Sequence, residues 1–213
     1  MTPPEGPIVI QPPAPAGNQR MAADQRRKQL LAASIVVFAR SGYHGATTRA
    51  IAKEAGVAEA LLYRYFTNKQ ALFKEAVAWT SERLVHGLAD VFMRHPDSPL
   101  EAFTALLEFC RAVLLRSESL AKMIFIVSAE LDDPEVRDIY LPYQRKALAV
   151  IEDAITGWQT KGLMVEGFPP RATAWLVLGS FQALALMKHS GSLREVDAGQ
   201  AFDLIRSLIH RQA

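Results

Sequence analysis

Between Thr47 and Lys69 the chain reads TTRAIAKEAGVAEALLYRYFTNK, a stretch that sets hydroxyls, cations and tyrosines among small residues at fixed intervals. Thr47, Thr48, Arg49, Tyr63, Arg64, Tyr65 and Lys69 supply hydrogen-bond donors, positive charge and flat aromatic faces. Those groups hold a phosphate backbone and read base edges. Nothing comparable points to bond-making chemistry. There is no Gly-rich phosphate loop, no Ser/His/Asp arrangement and no recognisable carboxylate pair. His44, His86, His95, His189 and His210 lack metal-ligand spacing. A single cysteine, Cys110, excludes an internal disulfide, and its neighbours Leu106, Phe109 and Leu114 make it a packing residue rather than a thiol sensor. The chemistry expected is therefore binding, with no enzymatic activity, no cofactor and no metal.

Helices must position these groups. Two short helices, one from Thr47-Thr48 to Ala55 and one over 58–66, meet at Gly56, which can take the positive φ of a tight turn. Ala52 is small enough for a close crossing, and Ile51, Val57 and Leu62 point to a shared core. This is helix-turn-helix spacing, in which the second helix enters the major groove. A first helix over 24–40 carries the apolar stripe Leu31, Ile35 and Phe38 and ends at Ser41-Gly42. Arg26, Arg27 and Lys28 sit in its first turns, where the helix dipole disfavours cations. Thr67-Asn68 caps a long fourth helix over 69–93.

Five further helices are predicted: 100–116, 118–131, one opened by Asp133-Pro134 and running to 160 with a kink at Pro142, 170–188, and 196–211. The fold class is thus all-α with about nine helices. A proline-rich arm over 1–20 precedes a helix-turn-helix domain over 21–68 and an effector and dimerisation domain over 69–213. The arm holds Pro3, Pro4, Pro7, Pro12, Pro13 and Pro15, which suits a disordered or polyproline-like segment.

Charge sharpens the picture. The chain has 213 residues and a net charge of +2, but residues 18–74 carry ten basic residues against three acidic ones. A basic N-terminal quarter on a mildly acidic body suits a polyanion-binding module joined to something else. Apolar residues make up 50% of the chain, enough for a sizeable core. The longest apolar run, 172–187, falls short of the ~20 residues that span a bilayer, so no membrane partner is expected, and the compartment expected is cytoplasmic.

From Leu30 to Leu72 the sequence resembles the N-terminal DNA-binding domain of TetR-family transcriptional regulators. The matching pieces are Leu30-Leu31 with Ala33, Val37-Phe38, Ser41-Gly42-Tyr43, Thr47-Thr48, Ile51-Ala52, Ala55-Gly56-Val57, Leu62-Tyr63, Tyr65-Phe66 and Asn68-Lys69 through Leu72. The resemblance covers about a quarter of the chain and implies a homodimer on double-stranded DNA with a C-terminal effector site. It implies that Thr48 turns its hydroxyl and N–H to a phosphate, that Tyr63 and Tyr65 touch the backbone or a thymine methyl, and that Lys69 contacts phosphate. Arg49 and Arg64 are not family-fixed; they are expected beside the groove, where Arg64 can read guanine. The recognition helix departs from the family's usual serine and glycine, with Ala58 and Ala60 flanking Glu59. Glu59 can accept from cytosine N4 or simply favour the helix start electrostatically.

Toward the C-terminus, Phe103, Leu106, Phe109, Met123, Val127, Tyr140, Tyr143, Trp175 and Gln182 are expected to line an effector site, mostly apolar with a few polar groups. Leu176, Gly179, Ala183 and Met187 on the eighth helix, with Phe202, Ile205 and Ile209 on the ninth, form stripes suited to a four-helix dimer contact. The reading is a ligand-responsive repressor that binds a palindromic operator and is released by a small, largely apolar effector. An activator, an all-helical lipid carrier or enzyme, and an adaptor that uses the helix-turn-helix for protein contacts are the alternatives. The basic N-terminal quarter disfavours the carrier and enzyme readings, which have no need of it.

Overall fold

The computed structural model describes residues 23–116, 118–167 and 169–192. They form eight helices: α1 (Ala23–Gly45), α2 (Thr48–Glu54), α3 (Glu59–Tyr63), α4 (Lys69–Arg94), α5 (Pro99–Arg116), α6 (Glu118–Ala129), α7 (Pro134–Thr160) and α8 (Pro170–Ser190). No strand occurs among the described residues. The proline-rich arm and the expected ninth helix, with Phe202, Ile205 and Ile209, lie outside the described residues.

Local chemistry explains most of the helix ends. Thr47 is extended and its side chain accepts the Ala50 N–H at 3.1 Å, capping α2. Asn68 caps α4 through the Ala71 N–H at 2.8 Å, and Asp133 caps α7 through the Glu135 N–H at 2.8 Å. Two boundaries differ from expectation. The assigned α1 runs on to Gly45 but is interrupted at Gly42, whose φ of 70° and ψ of 174° are not helical. The break therefore falls at the expected glycine, and a further turn follows it. Helix α3 is shorter than 58–66, because the chain tightens after Tyr63. The N–H groups of Arg64 and Tyr65 reach back only three residues, to Leu61 O and Leu62 O. Helix α7 continues through Pro142.

The described residues divide into two compact units. One takes the chain up to Thr80 together with Arg116–Tyr140; the other takes Ser81–Leu115 and the chain from Leu141 onward. The first unit is thus built from two separate stretches of sequence, where a single stretch ending at residue 68 was expected. In it α6 packs on α1. Its core holds Leu30, Ile35, Phe38, Ile51, Leu62, Leu72, Phe73, Met123, Val127 and Val136. Phe38 and Phe73 meet edge to face at 5.0 Å, and Tyr43 leans on Phe73 at 4.7 Å.

The second unit has its own core, with Leu88, Phe92, Leu106, Leu148, Ile151, Ile155, Trp158 and Ala174 buried. Trp158 is its largest fully buried side chain. Its ring lies 5.8 Å from Phe92 and 5.6 Å from Phe103, and its indole N–H donates to Pro96 O at 3.1 Å. Cys110 is buried in this core, and burial pushes its thiol up to about 12.

Candidate nucleic-acid interface

The helix-turn-helix is fixed first by its turn. Gly56 takes φ 67°, which lets Val57 N–H reach back to Ala52 O at 2.9 Å and Gly56 N–H to Lys53 O at 3.1 Å. That pair of bonds closes α2 and aims α3 away from it. Ile51 and Leu62 are fully buried beneath the turn, and Val57 packs against them from the half-buried rim.

Side chains from the flanking helices then hold carbonyls at the helix ends. The Gln29 amide donates to Ala55 O at 2.8 Å, at the end of α2. Arg27 does more. Its guanidinium forks onto both oxygens of Glu75, donates to Tyr65 O at 3.0 Å and lies 4.6 Å from the centre of the Phe66 ring. One side chain of α1 thereby ties the exit of the recognition helix to α4. Arg27 looked ill-placed from sequence, a cation near a helix start; Glu75 supplies the counter-charge. The signal available was an arginine at helix one and a glutamate at helix four, with nothing to say that they meet.

Lys69, expected at a phosphate, is engaged within the protein. Its ammonium donates to Tyr43 O at 2.9 Å and Ala46 O at 3.0 Å, and sits 4.6 Å from the Tyr43 ring centre. It is engaged by carbonyls that the break at Gly42 leaves open, so it braces the α1–α2 connection. Thr48 is likewise engaged. Its hydroxyl donates to Glu59 Oε1 at 2.6 Å and lies 3.2 Å from the Tyr63 hydroxyl. Glu59 therefore does more than favour the start of α3, because it bonds α3 to α2.

Around this triad the surface is open. Thr47, Arg49, Ala58, Ala60 and Arg64 are exposed and Tyr65 is half-buried. Tyr63 is 51% exposed despite its large ring. The exposed face of α2 and α3 so combines cationic, aromatic and hydroxyl groups on a rigid backbone.

Behind the interface, the corner between α6 and α7 is acidic. Glu130 lies 3.5 Å from His44, Asp133 accepts from the Gln70 amide at 3.2 Å, and Glu135 pairs with Lys74. Burial, with the Glu130 and Asp133 carboxylates, raises the Tyr43 phenol above its ordinary value.

The nine residues expected to line one effector site are divided between the units. Met123 and Val127 are buried in the core of the first, where Tyr140 also packs. Leu106 is buried in the second, with Phe103 and Phe109 packed against it. Tyr143 is half-buried in that unit, its phenol raised by burial and by Glu82. Gln182 is half-buried on α8. Trp175 departs most from expectation: it is 48% exposed and follows the outer face of α8. That face also carries Leu176 at 72% exposure, Gly179, Ala183 and Met187. Trp158 went unnoticed in the sequence because one tryptophan in an amphipathic helix carries no label for what it meets.

Comparison with known proteins agrees with this geometry. Residues 30–76 match the family described as "Bacterial regulatory proteins, tetR family". The chain is 35% identical over 88 residues to the HTH-type transcriptional activator FasR of Mycolicibacterium smegmatis, an alignment spanning 39% of this chain and 40% of that protein. It is 29% identical over 164 residues to the uncharacterized HTH-type transcriptional regulator YhgD of Bacillus subtilis, spanning 75% of this chain and 82% of that protein. Among solved structures, FadR of Bacillus subtilis in complex with stearoyl-CoA has the same fold, with a TM-score of 0.70 at 20% identity, over 85% of this chain and 96% of that one. No helix among the described residues is long and apolar enough to cross a membrane. Over residues 30–76 the chain thus matches the TetR-family model, and across most of its length it shares the fold of solved structures such as FadR.

Proposed function

We propose that the protein is a homodimeric repressor that binds a palindromic operator through α2 and α3 and is released by an amphipathic acyl compound. The observation that carries the DNA-binding half is the exposed recognition surface on a braced backbone: Tyr63, Arg64 and Arg49 open to solvent above a turn held by Gly56, Gln29 and Arg27. The dimer is supported by the outer face of α8, where Trp175, Leu176, Leu186 and Met187 leave apolar surface in water. At Gly179 on that face a side chain would meet nothing within 4 Å. A second copy of the helix is the natural cover. The effector half draws on the apolar second core and on the stearoyl-CoA held by the FadR neighbour.

The test is a selection from random duplex DNA with purified protein. Recovery of a two-fold symmetric site with half-sites about 34–36 Å apart is expected. Stearoyl-CoA, but not coenzyme A alone, should raise the melting temperature and weaken binding to that site. Failure to enrich any sequence would overturn the regulator reading. Enrichment that stearoyl-CoA leaves unchanged would overturn only the effector. Leu176→Glu should yield folded monomer by sedimentation, and an intact dimer would remove α8 from the contact.

A further inference from the structure

We propose that Glu59 is a specificity-determining residue that selects a cytosine in each operator half-site, held in place for that task by Thr48. This rests on the reading of the protein as a DNA-binding regulator. A carboxylate on a surface meant for a polyanion needs a reason to be there, since a nearby phosphate would be repelled. The hydrogen bonds supply one. Thr48 commits its proton to Glu59 Oε1 at 2.6 Å, and the Tyr63 hydroxyl lies 3.2 Å from the same Thr48 oxygen. The bonds run in one direction, Tyr63 to Thr48 to Glu59, and end on an acceptor. Glu59 Oε2 has no partner among the described residues.

What this face offers DNA at that point is thus an acceptor with a fixed orientation, on the same side of α3 as exposed Tyr63 one turn later. The partner must be a donor. In the major groove two bases present one, cytosine N4 and adenine N6. Adenine places the N7 acceptor beside its amino group, which a carboxylate opposes; cytosine places only a C–H there. The exposed methyls of Ala58 and Ala60 on either side add no competing polar group. Thr48, with its proton used inside the protein, acts on the base through Glu59 and is a positioning residue.

The experiment repeats the random-duplex selection with the wild type, Glu59→Gln, Glu59→Ala and Thr48→Val. The wild type should return one strongly preferred cytosine per half-site. Glutamine keeps an oxygen for Thr48 but adds an amide donor suited to adenine N6 and N7, so Glu59→Gln should move that position from cytosine to adenine by about tenfold in relative enrichment. Glu59→Ala should relax that position alone. Thr48→Val should blunt the cytosine preference without moving it. If the variants bind the wild-type sequence pattern unchanged, Glu59 is only a brace between α2 and α3 and the proposal fails while the regulator reading stands. If the wild type enriches nothing, both fail.

Discussion

The two units solve different problems with different forces. In the first, directional bonds overlie an apolar core: Gln29 holds Ala55 O, Arg27 holds Tyr65 O and Glu75, Lys69 holds Tyr43 O and Ala46 O, and Thr48 holds Glu59. Each fixes a backbone end or a side chain close to the recognition surface. The second is organised around Trp158 and its neighbours; Trp158 and Lys161 both reach Pro96 O, and Lys161 reaches Asp97 at 2.6 Å. Reading base edges requires atoms held to a fraction of an ångström, which hydrogen bonds to backbone supply. Packing is non-directional and tolerates rearrangement of volume. The contrast suits a unit that must be stiff joined in one chain to a unit that can be reshaped.

Substitutions can break this contrast. The largest effect on stability belongs to Trp158→Ala, which opens a cavity in the second core and removes the indole's bond to Pro96 O, leaving that oxygen to Lys161. A loss of about 3–5 kcal/mol is expected in urea unfolding. The protein that remains folded should keep its sequence preference; a changed preference would mean that the second core sets the recognition geometry directly.

Arg27→Met should cost less stability, about 1–2 kcal/mol, because the Glu75 pair is partly exposed and the net value of the Tyr65 bond is modest. Its effect on DNA binding should be disproportionate, at least tenfold in operator affinity measured well below the unfolding midpoint. Equal losses in both measurements would make Arg27 an ordinary stabiliser.

Lys69→Met sharpens the same distinction. If the ammonium braces the α1–α2 connection, affinity falls while the slope of log affinity against log salt is retained. A phosphate contact would instead lower that slope by roughly one unit.

The smallest effect concerns Cys110. With the thiol raised from 9.0 to about 12 by burial, native protein at pH 8 should resist iodoacetamide and react only once unfolded, as read by mass spectrometry. The linked stability is complete below pH 9 and declines as the pH rises toward 12, since the unfolded thiol ionises first. Rapid labelling of the native protein would place the thiol outside the core.

How much of this could be read from sequence follows the range of each interaction. The turn at Gly56, the caps at Thr47, Asn68 and Asp133 and the burial of Ile51 and Leu62 are local, set by residues within a few positions of one another. The partners of Arg27 and Lys69 are not: Glu75 is 48 residues from Arg27, and Tyr43 is 26 from Lys69. Met123 and Val127 show the same limit from the apolar side. Their spacing says that they are buried but not against what, and they fill the core beneath α1 instead of joining Phe103 and Leu106 in the second unit. Trp175, expected at the wall of an effector site, is 48% exposed, because helix periodicity alone does not distinguish an inward apolar face from one awaiting a partner.

The first unit draws on two separate stretches of chain, and this bears on how such a protein can be recombined. A self-sufficient helix-turn-helix could be transplanted by cutting just after it. A crossover at residue 68 or 80 here would leave behind Met123, Val127 and Val136, three buried members of the core on which α1 rests. A hybrid regulator that borrows this recognition surface must therefore bring 116–140 with it, or supply a foreign segment of matching volume. Exchange of segments between relatives is then constrained less by the join in the sequence than by a core to which the chain returns after residue 115.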